Sequence, residues 1–289
     1  MDERLFLRLE GDAPHGPEAQ VPEGTMRAFD IAPALRGHVS YIAAYRERIP
    51  CGQQVLERVL PDGAVHLIFN LGDAPSAGGG AGFSVEAAGA SAAPVVLTLR
   101  GRLEGVSLAL RPGAAAALLG LPAREITDAA VPLDALWRGE GERLLERMAA
   151  APDDAARVAL LQAALLQRLQ RSTIEAHRGV MQAVQLIAAS GGQRPLREVA
   201  AAVGVGERRL QQLFQAHVGL SPRAFGRLAR LHACLRALRQ PTPGAWAAVA
   251  ADTGFYDQSH LINEFQALCG MSPRAFLERV VSPSSKTAG

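Results

Sequence analysis

The sequence has few cysteines and no long apolar run. Its 289 residues include three cysteines, Cys51, Cys234 and Cys269, which lie far apart and form no CxxC pair. This usage argues against a disulfide framework and fits a reducing cytoplasm. No apolar stretch reaches the roughly 18 residues of a membrane-spanning helix, and the start lacks the positive charge and apolar core of a secretory signal. We therefore expect a cytoplasmic protein that does not enter a membrane.

Motifs for catalysis and metal binding are also scarce. The sequence has no Walker, Gly-x-Ser-x-Gly or His-Glu-x-x-His spacing, which argues against the chemistries that those spacings support. A metal site of the cupin type needs clustered histidines with a carboxylate, but only His15, His38 and His66 precede residue 172. We expect neither an enzyme nor a bound metal or other cofactor.

A duplicated unit occupies the C-terminal third of the sequence. The string Ser-Pro-Arg-Ala-Phe occurs at Ser221–Phe225 and again, 51 residues later, at Ser272–Phe276. Anchors at this spacing indicate a repeated supersecondary unit. The upstream anchors that keep the same offset are Leu210, Phe214 and Gly219, which recur as Leu261, Phe265 and Gly270.

Each unit is predicted as a helix, a glycine turn and a second helix with an apolar stripe. In unit one the helices span about 196–202 and 206–217, and Ser221 caps a long helix that runs to about Leu238. In unit two, which starts at about Ala245, the second helix spans about 257–268. The predicted turns lie at Gly204 and Gly254, Ser272 caps the closing helix, and Pro241–Gly244 separates the units.

Two helix-turn-helix units joined by one long helix resemble the DNA-binding domain of AraC/XylS-type bacterial transcription regulators. The resemblance covers roughly residues 176–280. It implies that the second helix of each unit lies in the major groove of double-stranded DNA, and that RNA polymerase is a further partner, contacted during activation. The motifs that carry it are Gly219-x-Ser-Pro, Leu228–Leu231, Gly254-Phe255-x-Asp-Gln-Ser-His, Phe265 and Gly270-Met-Ser-Pro.

Carried over by position, the resemblance assigns contacts to both units. Arginine can donate two hydrogen bonds to guanine, and glutamine or asparagine can pair with adenine, whereas phosphate contacts position the protein. Unit two has Asn263, Glu264 and Gln266 where relatives often have Arg or Lys, so unit one is expected to supply most of the affinity. The expected base contacts are Arg208, Gln211, Gln212, Gln258, His260 and Asn263, and the expected phosphate contacts are Arg209, Arg223, Ser259 and Arg274.

The charge distribution agrees with a polyanionic partner. Residues 172–289 contain 13 Lys and Arg against 7 Asp and Glu, whereas residues 1–171 contain 17 against 21. A basic region in an otherwise near-neutral chain is typical of a surface that meets phosphates.

The N-terminal part is expected to be a separate, sensor-like domain. Strand patterns occur at Val55–Leu60 and Val65–Leu71, which we expect to form a hairpin around Pro61-Asp62-Gly63, and at Val95–Leu99 and Gly105–Leu110. Helical patterns follow residue 111. The expected fold class is α+β: a flexible tail at 1–25, an effector-binding or dimerisation domain at 26–171, an all-α DNA-binding domain at 172–282 and a disordered tail at 283–289.

Several alternatives stay open. The resemblance implies a small-molecule effector, but no motif identifies it or its binding residues, and an effector-independent protein whose N-terminal region only assembles is possible. Some related regulators are fused to a DNA-repair alkyltransferase, for which Cys51 would have to accept the methyl group. The stripe of Leu161, Leu165 and Leu169 fits either a homodimer seam or an internal core.

Overall fold

The computed structural model describes residues 3–12, 14–174, 177–239 and 246–281. Strands dominate as far as Leu110 and helices follow, which confirms the predicted α+β class and its order. In these ranges the strands are β1 (Glu3–Phe6), β2 (Met26–Ala28), β3 (Val39–Arg48), β4 (Val55–Val59), β5 (Val65–Asn70), β6 (Ser76–Ala77), β7 (Val85–Ala88), β8 (Val95–Leu99), β9 (Arg102–Leu110) and β10 (Ala130–Pro132).

The strands form a four-stranded and a six-stranded sheet. The strand order is β1-β4-β8-β6 in the smaller sheet and β10-β7-β5-β9-β3-β2 in the larger one. Side chains alternate between the two faces of a strand, and Leu67 and Phe69 of β5 are fully buried together with Val106 and Leu108 of the neighbouring β9. The larger sheet therefore contributes one face to the core, as the alternating pattern in β5 predicts.

Eleven α-helices occur in the part of the chain that the structure describes. Four of them cover the sheets and seven form the C-terminal region. The first group is α1 (Ala115–Leu119), α2 (Leu133–Trp137), α3 (Glu140–Ala149) and α4 (Asp154–Arg171), and the second is α5 (Arg178–Ala189), α6 (Leu196–Ala202), α7 (Glu207–Val218), α8 (Pro222–Leu238), α9 (Trp246–Asp252), α10 (Gln258–Cys269) and α11 (Pro273–Val281).

The leucine stripe of α4 belongs to the core of a single chain. Leu161 and Leu165 are fully buried within that chain, and Leu169 packs against the same cluster. The stripe therefore does not provide a dimer seam. Within the described residues, no helix is both long enough and apolar enough to cross a membrane.

The prediction that residues 1–25 form a flexible tail is wrong for the residues described there. Strand β1 pairs in parallel with β4, with Leu5 opposite Arg58. Leu5, Leu7 and Leu9 alternate along this segment and are fully buried. Burial of apolar side chains stabilises the segment by roughly 2 kcal/mol each, which outweighs the acidic, glycine-containing composition that suggested a tail.

The hairpin predicted around Pro61-Asp62-Gly63 is also wrong. Strands β4 and β5 exist, but they lie in different sheets, since β4 pairs with β1 and β8 whereas β5 pairs with β7 and β9. The three residues instead carry the chain from one sheet to the other, and Gly63 packs against Leu228 and Phe225 of α8.

The N-terminal and C-terminal regions are in direct contact. One continuous cluster of buried apolar residues runs through both. The Nε2 atom of His232 in α8 lies 3.0 Å from the carbonyl oxygen of Pro61, and Gln20 donates a hydrogen bond of 2.8 Å to the carbonyl of Arg279 in α11. The domain boundary at residue 171 stays a prediction. The predicted separator Pro241–Gly244 and the tail at 283–289 lie outside the described residues.

Candidate nucleic-acid interface

Unit one consists of α6, the turn at Gly204 and α7. Gly204 has a φ angle of +73°, a left-handed conformation that glycine adopts without steric cost. Leu210 and Phe214 are fully buried on the inner side of α7, and Gly219 ends the helix. The opposite side of α7 faces solvent because the stripe fixes its orientation. The exposed residues on that side are Arg208, Arg209, Gln211 and Gln212.

Side-chain caps fix where the next helices begin. The Ser221 hydroxyl accepts a hydrogen bond of 3.1 Å from the Ala224 N–H, as predicted, and Ser272 does the same for Ala275 at 3.2 Å. Such caps contribute about 1 kcal/mol each and satisfy backbone donors that the helix itself leaves unpaired. The repeated Ser-Pro string is therefore a repeated helix start.

Unit two consists of α9, the turn at Gly254 and α10. The Asp257 carboxylate caps α10 by accepting a hydrogen bond of 2.7 Å from the His260 N–H. Gln258, Ser259 and Asn263 are exposed on the outer side of the helix. Leu261 and Phe265 are buried on the inner side.

Sequence reasoning missed Tyr256. Its side chain is 92% exposed immediately before the start of α10. A large exposed aromatic ring beside a recognition helix offers a flat apolar face and a hydroxyl donor at once. Tyr256 directly follows Gly254-Phe255 and lies outside the inward-facing stripe that contains Leu261 and Phe265. This position was the available signal that its side chain faces solvent.

A cleft lies between the two units. We call it the interunit cleft, and its volume is about 780 Å³. Gln211 projects into it from α7 and His260 from α10, so the second helices of both units border the same concavity. The polar and charged residues that line it are Arg194, Gln211, Ser221, Arg223, Arg227, Arg230, His260 and Glu264.

His260 is held in one orientation. Its Nδ1 atom accepts a hydrogen bond of 3.3 Å from the Tyr256 N–H, and its ring meets the Phe255 ring edge-on with 5.5 Å between centroids. In the neutral imidazole, a ring nitrogen that accepts leaves the other one as the donor. His260 therefore presents an Nε2–H donor, which suits the guanine acceptors O6 and N7 or a phosphate oxygen.

Four arginines and one glutamate are among the residues that line the interunit cleft. Arg227 of α8 and Glu264 of α10 form an ion pair with 2.6 Å between Nε and Oε2. Arg230 donates a hydrogen bond of 3.0 Å to the carbonyl of Gly192 and lies 5.7 Å from the centroid of Phe255. The contacts with Glu264 and Phe255 link α8 to unit two, and the hydrogen bond to Gly192 links α8 to the turn before α6.

The structure brings only part of the predicted site together. Gln211, His260 and Arg223 meet in the interunit cleft. Arg274 lies on α11, where it pairs with Glu278 at 2.8 Å, and both side chains are mainly exposed. Ion pairs on the surface contribute little to the free energy of folding, so Arg274 is available to bind another anion. The remaining predicted residues are exposed on α7 or α10 outside the cleft, namely Arg208, Arg209, Gln212, Gln258, Ser259 and Asn263.

Family comparison gives the C-terminal region its identity. Residues 199–279 match a family model described as a helix-turn-helix domain. The C-terminal region is an AraC-type helix-turn-helix domain. The matched range runs from within α6 to within α11, so it includes most of both units and the part of the interunit cleft that α7, α8 and α10 form. This match supports DNA binding by the C-terminal region.

The N-terminal region matches a different family model. Residues 29–132 match the model described as a domain of unknown function (DUF6597). The match includes strands β3 to β10 and ends where α2 begins. A search of curated protein sequences finds no match to this chain.

A search of solved structures finds proteins with low similarity to this chain. A transcriptional regulator with an AraC-type DNA-binding domain from Chromobacterium violaceum is 24% identical, with 36% of this chain and 94% of that chain covered and a TM-score of 0.34. ToxT from Vibrio cholerae is 10% identical, with 82% and 98% covered and a TM-score of 0.44. A fatty-acid-bound structure of ToxT is also 10% identical, with 82% and 94% covered and a TM-score of 0.43.

The cysteines differ in their surroundings. Cys234 and Cys269 are buried in the C-terminal region, and burial raises the pKa of the Cys234 thiol to about 12. Cys51 is exposed. In the part of the chain that the structure describes, no group of three or more His, Cys, Asp or Glu residues is placed to hold a metal ion.

Proposed function

We propose that this chain is a cytoplasmic, sequence-specific transcription regulator whose two recognition helices, α7 and α10, contact successive stretches of double-stranded DNA. One observation carries the proposal. Gln211 of α7 and His260 of α10 border the same basic cleft, so one DNA molecule can meet both helices at once. Neighbouring arginines would neutralise its phosphates.

The base contacts follow from what each helix exposes. In unit one, Arg208, Gln211 and Gln212 lie on the solvent side of α7, where an arginine can donate two hydrogen bonds to guanine. In unit two, His260 contributes its Nε2–H donor, and Gln258 and Asn263 contribute amides that suit adenine. We place the phosphate contacts at Arg209, Arg223, Ser259 and Arg274.

A small-molecule effector at the N-terminal region would act through the contacts between the two regions. Thr127 donates a hydrogen bond to the carbonyl of Gly219 at the end of α7, so a shift near Thr127 reaches a recognition helix directly. An effector alters DNA binding only to the extent that it binds the two states with different affinity. Contact with RNA polymerase would complete the regulatory function.

One cavity in the N-terminal region is bordered by Arg168, Arg171 and Glu140. Its volume is about 180 Å³, below the roughly 300–1,000 Å³ of most small-molecule pockets. An effector bound there would have to be small or would have to open the cavity, and its guanidinium groups favour an anion.

Selection of DNA sequences from a random pool tests the proposal. The full-length purified protein is used at two salt concentrations, because non-specific phosphate binding weakens steeply with salt whereas base contacts persist. We expect an enriched motif with two short blocks about one helical turn apart. Enrichment of one block would restrict sequence recognition to one unit. The absence of any enriched motif would contradict the proposed function.

A further inference from the structure

We propose that the interunit cleft binds phosphate groups of the DNA backbone, and that Glu264 weakens this binding by holding Arg227 in an ion pair. The inference rests on the proposed function, since it concerns DNA that contacts α7 and α10 together. It assigns an affinity-setting role to two residues that make no predicted base contact.

The position of the cleft decides which part of the DNA enters it. Gln211 and His260 border it from opposite recognition helices, so DNA that contacts both helices must pass across the opening. The segment between two contacted grooves presents its backbone to the protein. Among the residues that border the cleft, four are arginines and only Glu264 is acidic.

The four arginines are not equally available to a phosphate. Arg230 is committed to the protein through its hydrogen bond to the Gly192 carbonyl. Arg223 is exposed and has no ion-pair partner among the described residues. The Nε atom of Arg194 lies 3.8 Å from the Oε2 atom of Glu198, and both side chains are well exposed. An ion pair of this kind contributes little to the free energy of folding. Arg223 and Arg194 can therefore turn to a phosphate at small cost.

Arg227 is the residue whose availability Glu264 controls. The two side chains approach to 2.6 Å, with 34% and 19% of their surfaces exposed. Glu264 thus neutralises one of the cations of the cleft and places a carboxylate where a phosphate would approach. The negative charge of Glu264 repels the phosphate. The guanidinium of Arg227, already paired, releases fewer counterions from DNA than a free one would.

The ion pair could instead serve only to orient α10 against α8. The two roles predict opposite effects of removing the carboxylate. If Glu264 attenuates binding, its replacement by glutamine strengthens DNA binding. If Glu264 only orients the helix, the same replacement weakens DNA binding, because α10 loses an anchor.

A double-mutant cycle separates these roles. Glu264→Gln, Arg227→Gln and the double variant are compared with the natural protein for Kd on the selected DNA over a range of salt concentrations. We expect Glu264→Gln to bind on the order of fivefold more tightly, with a salt slope steeper by about one. Arg227→Gln should bind more weakly, and the double variant should bind nearly as the natural protein does. Equal or weaker binding by Glu264→Gln at an unchanged slope would overturn the proposal.

Two further variants test the phosphate site without touching the ion pair. Arg194→Gln should make the salt slope shallower by about one, whereas Arg147→Gln, an exposed arginine of α3, should leave it unchanged. Thermal unfolding monitored by circular dichroism checks that all variants fold. If the natural protein selects a motif but these slopes do not change, only the present inference fails. If it selects no motif, the proposed function fails first.

Discussion

The Thr127 hydroxyl donates a hydrogen bond of 2.7 Å to the carbonyl oxygen of Gly219. Gly219 ends recognition helix α7 in a left-handed conformation, with a φ angle of +89°. A C-terminal carbonyl of a helix lacks an intrahelical partner, and here the N-terminal region supplies one. The end of a helix that we propose to contact DNA is thus held by the region that we propose to bind the effector.

Replacing Thr127 by valine should destabilise the protein. The change removes the donor while keeping the shape of the side chain, so we expect the free energy of unfolding to fall by about 1 kcal/mol. Thr127→Ser retains the hydroxyl and is the matched control. Urea unfolding measures both. A larger loss in Thr127→Ser than in Thr127→Val would mean that the methyl group of Thr127, and not its hydrogen bond, matters.

Arg239 joins the end of α8 to the N-terminal segment. It donates hydrogen bonds of 2.6–2.9 Å to Asp12 and Glu18, and Glu18 is only 6% exposed. Arg239→Gln leaves two poorly solvated carboxylates without a cation, which should lower the free energy of unfolding by roughly 3 kcal/mol. Arg236→Gln changes an exposed arginine of α8 and should lower the free energy of unfolding only slightly. Similar urea midpoints for the two variants would contradict this account.

His232 should make stability fall in mild acid. Burial lowers the pKa of this imidazole below its ordinary value, so the unfolded state takes up a proton more readily than the folded state. Its contribution to stability is full above about pH 6.5, the ordinary histidine pKa, and decreases as the pH falls below that value. Urea unfolding at pH 7.5 and 5.5 measures the loss.

The variant His232→Gln isolates this effect. Glutamine can still donate to the Pro61 carbonyl but does not titrate. Burial opposes protonation of the nearby His66, but Asp62 outweighs burial and raises its pKa, so His66 favours the folded state in acid in both proteins. We expect the natural protein to lose more stability on acidification than His232→Gln. An equal loss would assign the acid sensitivity to other groups.

A methyl group at Gly192 should disrupt the contact between α8 and the turn before α6. Gly192 has a φ angle of +71°, and a Cβ there would overlap the carbonyl oxygen of Gly226. Gly204 has nearly the same φ angle but open space around it. Gly204→Ala should therefore lower the free energy of unfolding only by the backbone penalty of about 1–2 kcal/mol. Gly192→Ala should lower it clearly more. Comparable melting temperatures for the two variants would exclude the overlap as the cause.

The C-terminal region could be predicted from the sequence because its signals are local. The apolar stripe of Leu210 and Phe214, the turn glycine Gly204 and the cap Ser221 each act within one or two helical turns. All four lie where the pattern predicts. Repetition of the same signals in unit two removed the ambiguity that a single short helix would have left.

The sheets were less predictable because strand pairing is not local. The pattern at Val55–Leu60 identifies a strand, but nothing in it selects β1 and β8 as partners. The signal for β1 was present in the alternation of Leu5, Leu7 and Leu9, and the surrounding acidic residues obscured it. Asp12 and Glu18 of that segment meet Arg239, more than two hundred residues away.

The interunit cleft was beyond sequence reasoning for the same reason. Arg227 lies on the joining helix α8 and Glu264 lies in unit two, and they meet only because α8 and α10 pack together. Local patterns place each residue on a helix face, but they do not show which faces meet. The predicted base contacts were assigned by position from the family resemblance, on helix faces that the apolar stripes leave outward, and could therefore be proposed before the fold was known.

The most direct test of the account is whether each recognition helix contacts its own block of the DNA motif. Binding of Arg208→Ala and His260→Ala is measured on the selected DNA and on versions with either block scrambled. The account predicts that Arg208→Ala loses discrimination at the first block only, by roughly 1–3 kcal/mol, and that His260→Ala does so at the second block only. Loss at both blocks with either variant, or at neither, would contradict the placement of α7 and α10 in successive grooves.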